Sequence, residues 1–96
     1  MTNERTIERC PFELGLEVTT PGAAYEVHPG ERRAALMRHA GCDWGDCCAA
    51  DWAENDFSVD KDLRLFSVYH DRNGTKFWII TEADRSVTTI LLPREY

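Results

Sequence analysis

Leu14, Leu16 and Val18 alternate with Gly15, Glu17 and Thr19, the period of two that marks a half-buried strand. Thr20-Pro21 comes next, a hydroxyl at the N-cap with proline in the first turn, where its missing N–H costs nothing. This predicts a short helix through Val27. Pro29 pushes His28 out of the helical region, so that helix stops there and a second begins at Pro29 or Gly30. Within Glu31 to Ala40, the side chains of Ala34, Leu36, Met37 and Ala40 recur at helical spacing, and Gly41 supplies the stop. Asp46 is placed to cap a third helix reaching about Phe57, with Cys48 or Ala49, Trp52 and Ala53 as its apolar stripe.

From Leu63 onward the pattern is that of strands: Leu65 to Tyr69, Phe77 to Ile80 and Val87 to Leu92 are rich in β-branched and aromatic residues. Asn73-Gly74 predicts a two-residue type I′ turn, which sets Tyr69 opposite Trp78 and Val68 opposite Ile79. Glu82 to Ser86 forms the second turn, and Pro93 ends the last strand. In that register Phe66, Val68, Phe77 and Ile79 share one face, and Leu65, Tyr69, Trp78 and Ile80 the other. Both faces are apolar. Helices cover one, and the second is left for a partner, a second copy of the chain included.

The expected fold is therefore α+β: a short N-terminal strand, two to three helices, then a three-stranded antiparallel β-meander with helices packed on one face. Residues 1–13 read as a flexible arm and 14–96 as a single domain. Ninety-six residues allow one thin core. A hydrophobic content of 43% with 29% charged residues describes a folded chain. No stretch approaches the ~20 apolar residues of a membrane span, and the first residues are polar, which places the protein in the cytoplasm. In that compartment Cys10, Cys42, Cys47 and Cys48 are expected as free, buried thiols.

Charge changes the picture most once it is located. Between Asp43 and Asp62 lie Asp43, Asp46, Asp51, Glu54, Asp56, Asp60 and Asp62, with Lys61 as the opposing cation. That span carries the net charge of −6, and the rest of the chain balances. Direct nucleic-acid binding is disfavoured, because phosphates require a basic surface. The acidic span suits a protein partner with a basic surface, on which a row of carboxylates imitates phosphates.

Other constellations are weaker. His39, Cys42, Cys47 and Cys48 are weak candidates for a metal, since paired C-x-x-C spacing is missing and adjacent Cys47 and Cys48 point about 100° apart on a helix. No cofactor is implied. Tyr69-His70-Asp71-Arg72 on the hairpin and Glu82, Asp84 and Arg85 on the next turn put acid, base and cation near the sheet ends, as in a small toxin-type RNase using His70, Arg72 or Arg85. The two turns, however, stand ~20 Å apart at opposite ends of a strand. Ser86 follows an Asp whose carboxylate is expected to bond its own turn.

The stretches Thr20-Pro21-Gly22-Ala23, His39 to Gly45, and Gly74 to Ser86 continuing to Tyr96 resemble a family of small uncharacterised proteins from plasmids and integrative elements of proteobacteria. That family brings no established activity, catalytic residue or cofactor. The resemblance implies a mobile genetic element. With the charge pattern, it gives the functional expectation of a non-enzymatic interaction protein, an inhibitor of host defence of the anti-CRISPR or anti-restriction type. The alternatives are the RNase and a structural homodimer.

Overall fold

A computed structural model describes residues 11–96, so the first ten positions of the expected arm, Cys10 among them, lie outside the described residues. The elements run β1 (Leu16–Thr19), α1 (Pro21–Glu26), α2 (Pro29–Ala40), α3 (Ala49–Ser58), a 3₁₀ turn (Val59–Lys61), β2 (Leu65–His70), β3 (Lys76–Thr81), β4 (Val87–Leu91) and a second 3₁₀ turn (Pro93–Glu95). The fold is α+β, as the patterning implies. The three-stranded antiparallel sheet is corrected in detail: β2, β3 and β4 form the meander, but β1 joins it parallel to β4, giving the order β1-β4-β3-β2. Gly15 makes that junction possible. It sits at φ +65 so close to the main chain of Ser86 that a Cβ would lie 2.3 Å from the Ser86 carbonyl oxygen.

The Asn73-Gly74 turn is also different from the expected one. Tyr69 pairs with Phe77 and Val68 with Trp78, a slip of one residue. Asp71 is the cause. Its N–H donates to the Thr75 carbonyl at 3.0 Å, and its Oδ1 accepts from the amides of Asn73 (2.8 Å) and Thr75 (2.9 Å). This favours a three-residue loop with Gly74 left-handed at φ +81 over the tighter type I′ turn. A slip of one residue reassigns side chains between faces. Leu65, Tyr69, Phe77, Ile79 and Ile90 point one way, and Phe66, Val68, Trp78, Ile80 and Leu91 the other.

The first face packs against α1 and α2, joining Tyr69, Phe77, Ile79 and Ile90 to Ala23, Val27, Ala35 and Leu36. The stripe of α2 is therefore Ala35, Leu36 and His39, whereas Met37, expected inside, is 51% exposed and Ala34 is also on the surface. A second cluster gathers Phe12, Trp44 and Leu65 with Trp52 and Val59. Phe12 belongs to the stretch expected as an arm and is nonetheless buried. On the opposite face, Trp78 meets Phe66 edge-to-face at 4.9 Å and Tyr96 at 5.7 Å. The Tyr96 hydroxyl accepts from Arg64 at 2.8 Å, and Arg64 pairs across the strands with Glu82.

The helix cap expected at Asp46 is a further correction. α3 starts after Cys48, with no side-chain cap, and turns Asn55 and Ser58 inward while Ala49 and Ala53 face solvent. Asp46 instead belongs to a segment that seals the outer edge of β2. The Val68 N–H donates to the Trp44 carbonyl (3.2 Å), and the Asp46 N–H donates to the Val68 carbonyl (2.7 Å). Gly45, at φ +73, passes so near that a Cβ would stand 2.1 Å from the Val68 oxygen. Two residues back along β2, the Asn55 amide completes the edge: its Nδ2 donates to the Phe66 carbonyl (2.6 Å) and its Oδ1 accepts from the Phe66 N–H (3.0 Å).

Candidate functional site

The seven acidic residues from Asp43 to Asp62 separate into two groups. Asp43 is held by Arg38, with Nε to Oδ2 at 2.8 Å, and that guanidinium keeps its carboxyl below the usual range. Asp46 Oδ2 lies 2.8 Å from His70 Nδ1. Asp56 accepts the indole N–H of the fully buried Trp44 at 2.9 Å. These three fasten the connector between α2 and α3 to its surroundings. Asp51, Glu54, Asp60 and Asp62 are exposed and form no ion pair among the described residues.

The free group is positioned by continuous helical backbone. Asp51 and Glu54 are three residues apart on α3 and so share a side. Asp60 follows in the 3₁₀ turn, and Asp62 closes it in the left-handed region at φ 54, which aspartate tolerates better than most residues. Lys61 stands over the Phe57 ring at 5.4 Å. The arrangement presents carboxylates to solvent on successive turns with one cation among them, a surface suited to binding positive charge.

His39 lies elsewhere, completely buried on α2. Its Nδ1 is 2.6 Å from Ser67 Oγ and its Nε2 is 2.9 Å from Thr81 Oγ1. Thr81 Oγ1 is 2.7 Å from Thr88 Oγ1, which donates to the Leu14 carbonyl at 2.7 Å. Because a carbonyl only accepts, the whole chain acquires a direction: Ser67 donates to Nδ1, Nε2–H donates to Thr81, Thr81 to Thr88, and Thr88 to Leu14. The ring is thereby assigned as the neutral tautomer protonated at Nε2. Burial, reinforced by the positive charge of Arg85, pushes its pKa down to about 3. Phe12 and Trp44 each meet the ring edge-on at 5.5 Å.

His39, Cys42, Cys47 and Cys48, the weak metal candidates, are not brought together. Among the described residues no three His, Cys, Asp or Glu side chains are grouped to hold an ion. Cys47 donates to the Phe66 carbonyl at 3.4 Å, and burial pushes its thiol pKa up. Cys42 is half-buried with φ 67, and Cys48 is exposed, against the expectation of a buried thiol. Cys47 and Cys48 are free thiols.

The residues of the RNase reading are likewise engaged separately. His70 faces Asp46, and Arg72 pairs with Glu31 on α2. Arg85, left-handed at φ 62, donates from Nη1 to the carbonyls of Leu63, Glu82 and Ala83 and from Nη2 to those of Ser58 and Val59. It ties the end of α3 to the β3–β4 turn. Asp84 accepts the Ser86 N–H at 3.0 Å, the local turn bond expected of it.

Sequence patterning does not find three of these roles. His39 stands at the helical spacing of Ala35 and Leu36, which is the signal for its burial, but an ionisable side chain there reads as surface. Asn55 has no such signal, because its partner is main chain. Arg85 acts through five carbonyls that are adjacent only in the fold. Among the described residues, no helix is long and apolar enough to cross a membrane. Comparisons with family models, curated proteins and solved structures return no match to this chain.

Proposed function

We propose that this protein is a non-enzymatic interaction module that binds a protein partner with a basic surface through Asp51, Glu54, Asp60 and Asp62. The observation that carries this reading is the division of the acidic span: Asp43, Asp46 and Asp56 are bonded within the fold, and the other four carboxylates are left in solvent with no ion pair among the described residues. Four carboxylates along α3 and the turn that follows it, against Lys61 alone, attract a basic groove over a Debye length of about 8 Å and speed encounter with it. Groups of this kind bind by imitating phosphate, which fits a mobile-element inhibitor occupying the nucleic-acid channel of a host defence protein.

The test is capture from the native host, with bound proteins identified by mass spectrometry, using the wild type and a D51K/E54K/D60K/D62N variant. Asparagine is chosen at position 62 because it also tolerates a left-handed backbone. The expected result is a basic protein retained by the wild type at low salt and lost from the variant, whose circular dichroism is unchanged. Equal retention by both overturns the reading.

A further inference from the structure

The edges of the sheet are treated differently. The β2 edge is closed by Trp44, Asp46 and Asn55, whereas β1 at the other end has all four residues exposed. Leu16 N–H donates to the Ser86 carbonyl and Thr20 N–H to the Ile90 carbonyl, so the main chain at the even positions faces β4. Alternation then directs the N–H and C=O groups of Glu17 and Thr19 away from the sheet. Among the described residues these four groups have no hydrogen bond. Such a row is the template on which another extended backbone pairs.

Beside it runs a groove of ≈ 200 Å³. Glu17 and Thr19 form its β1 wall, Leu36 and Ile90 its apolar floor, and Arg32 and Arg33 its α2 wall. The residues whose main chain is free are therefore those whose side chains enter the groove. Arg32 is anchored, its Nη1 donating to the carbonyls of Ala24 and Val27 at 3.0 Å. Arg33 is exposed and in no ion pair among the described residues. Two guanidinium groups against the single carboxylate of Glu17 leave the groove positive on a protein that is otherwise acidic.

We infer that β1 accepts an extended peptide segment of another protein as a fifth strand, with an acidic side chain of that segment seated in the groove against Arg33. Main-chain pairing with Glu17 and Thr19 supplies the affinity, and alternate side chains of the added strand face the groove, as in other cases of strand addition. Charge selects the occupant. An acidic side chain is attracted to the Arg32–Arg33 wall, whereas a basic one meets two like charges. The surface is separate from the α3 carboxylates and requires a partner of the opposite charge.

The test is selection of a random heptapeptide display library on the immobilised intact protein, followed by titration of the enriched peptides into ¹⁵N-labelled protein. The expected result is enrichment of peptides with an Asp or Glu flanked by β-branched residues. Their binding shifts and protects the amides of Glu17 and Thr19 and leaves those of Gly45 and Asp46 unmoved. Arg33→Glu, a surface change that leaves the fold intact, is expected to weaken binding roughly tenfold, the scale of one charge-assisted contact. Thr19→Pro removes one outward N–H and should weaken it further. Selection of peptides without acidic residues, or equal binding to Arg33→Glu, overturns the inference. So does a concentration-dependent dimer in sedimentation that Thr19→Pro abolishes, since the occupant is then a second copy.

Discussion

The β2 and β1 edges of one sheet show two solutions to the same physical problem. Each presents unpaired main-chain groups, and an unpaired edge invites another backbone. At β2 the chain itself answers, with two main-chain bonds from the Trp44–Asp46 segment and two more from the Asn55 amide. At β1 no described residue does. The difference teaches where stability and recognition reside. The sealed edge is built from buried, mutually dependent groups, and the open edge from exposed residues whose loss costs the fold little.

Substitutions can break this contrast, and the largest effect is expected at the seal. Trp44→Ala removes a fully buried indole from the second cluster and is expected to cost about 4 kcal/mol in urea unfolding. A loss under roughly 1 kcal/mol would show that the cluster does not hold the edge segment. Gly45→Ala places a Cβ against the Val68 carbonyl in a left-handed backbone, and a cost of about 3 kcal/mol should follow from the same measurement. Asn55→Ala strips both bonds from the Phe66 main chain, for about 2 kcal/mol. Hydrogen exchange should then reach the Phe66 amide first, and protection there equal to wild type would contradict the role given to Asn55.

His39 supplies a pH dependence with a definite sign. Its folded pKa of about 3 lies below the ordinary histidine value of 6.5, so the unfolded chain binds more protons between them. Stability from the neutral ring is fully present above pH 6.5 and falls as pH drops toward 3, by up to roughly 1.4 kcal/mol per pH unit. The urea midpoint followed from pH 7 to 4 should show this slope, and His39→Gln should flatten it. An identical slope in the variant would assign the effect to other groups. Last and smallest, Val18→Thr on β1 should change stability by under about 0.5 kcal/mol, and a loss above that would show the open edge to be structurally committed.

Much of this architecture is written in local patterning. Leu16 and Val18, the Thr20-Pro21 start, the His28-Pro29 break and the apolar runs of β2, β3 and β4 all mark elements that form where they are expected. The departures share a cause, a polar side chain that prefers a main-chain or buried partner over its usual place. Asp71 reshapes the hairpin loop and moves the register by one residue. His39 and Asn55 take inward positions that apolar counting assigns to Met37 and Ala53. The candidate surface was legible in outline, because charge clusters are visible in composition. Its division into bonded and free carboxylates was not, since the partners Arg38, His70 and Trp44 come from three different parts of the fold. The β1 groove had no outline at all, because its walls come from β1, α2 and β4.

The parallel pairing of β1 with β4 also sets an order of events. Thr20 is hydrogen-bonded to Glu95 across 75 positions, and Gly22 to the same carboxylate across 73. The meander is made of short hairpins whose loops close at little entropic expense, whereas β1 must wait for nearly the whole chain to be gathered. Refolding should therefore protect amides of β2 and β3 before those that join β1 to β4. The strand that offers its free edge to a partner is then the last to enter the sheet and the first to leave it.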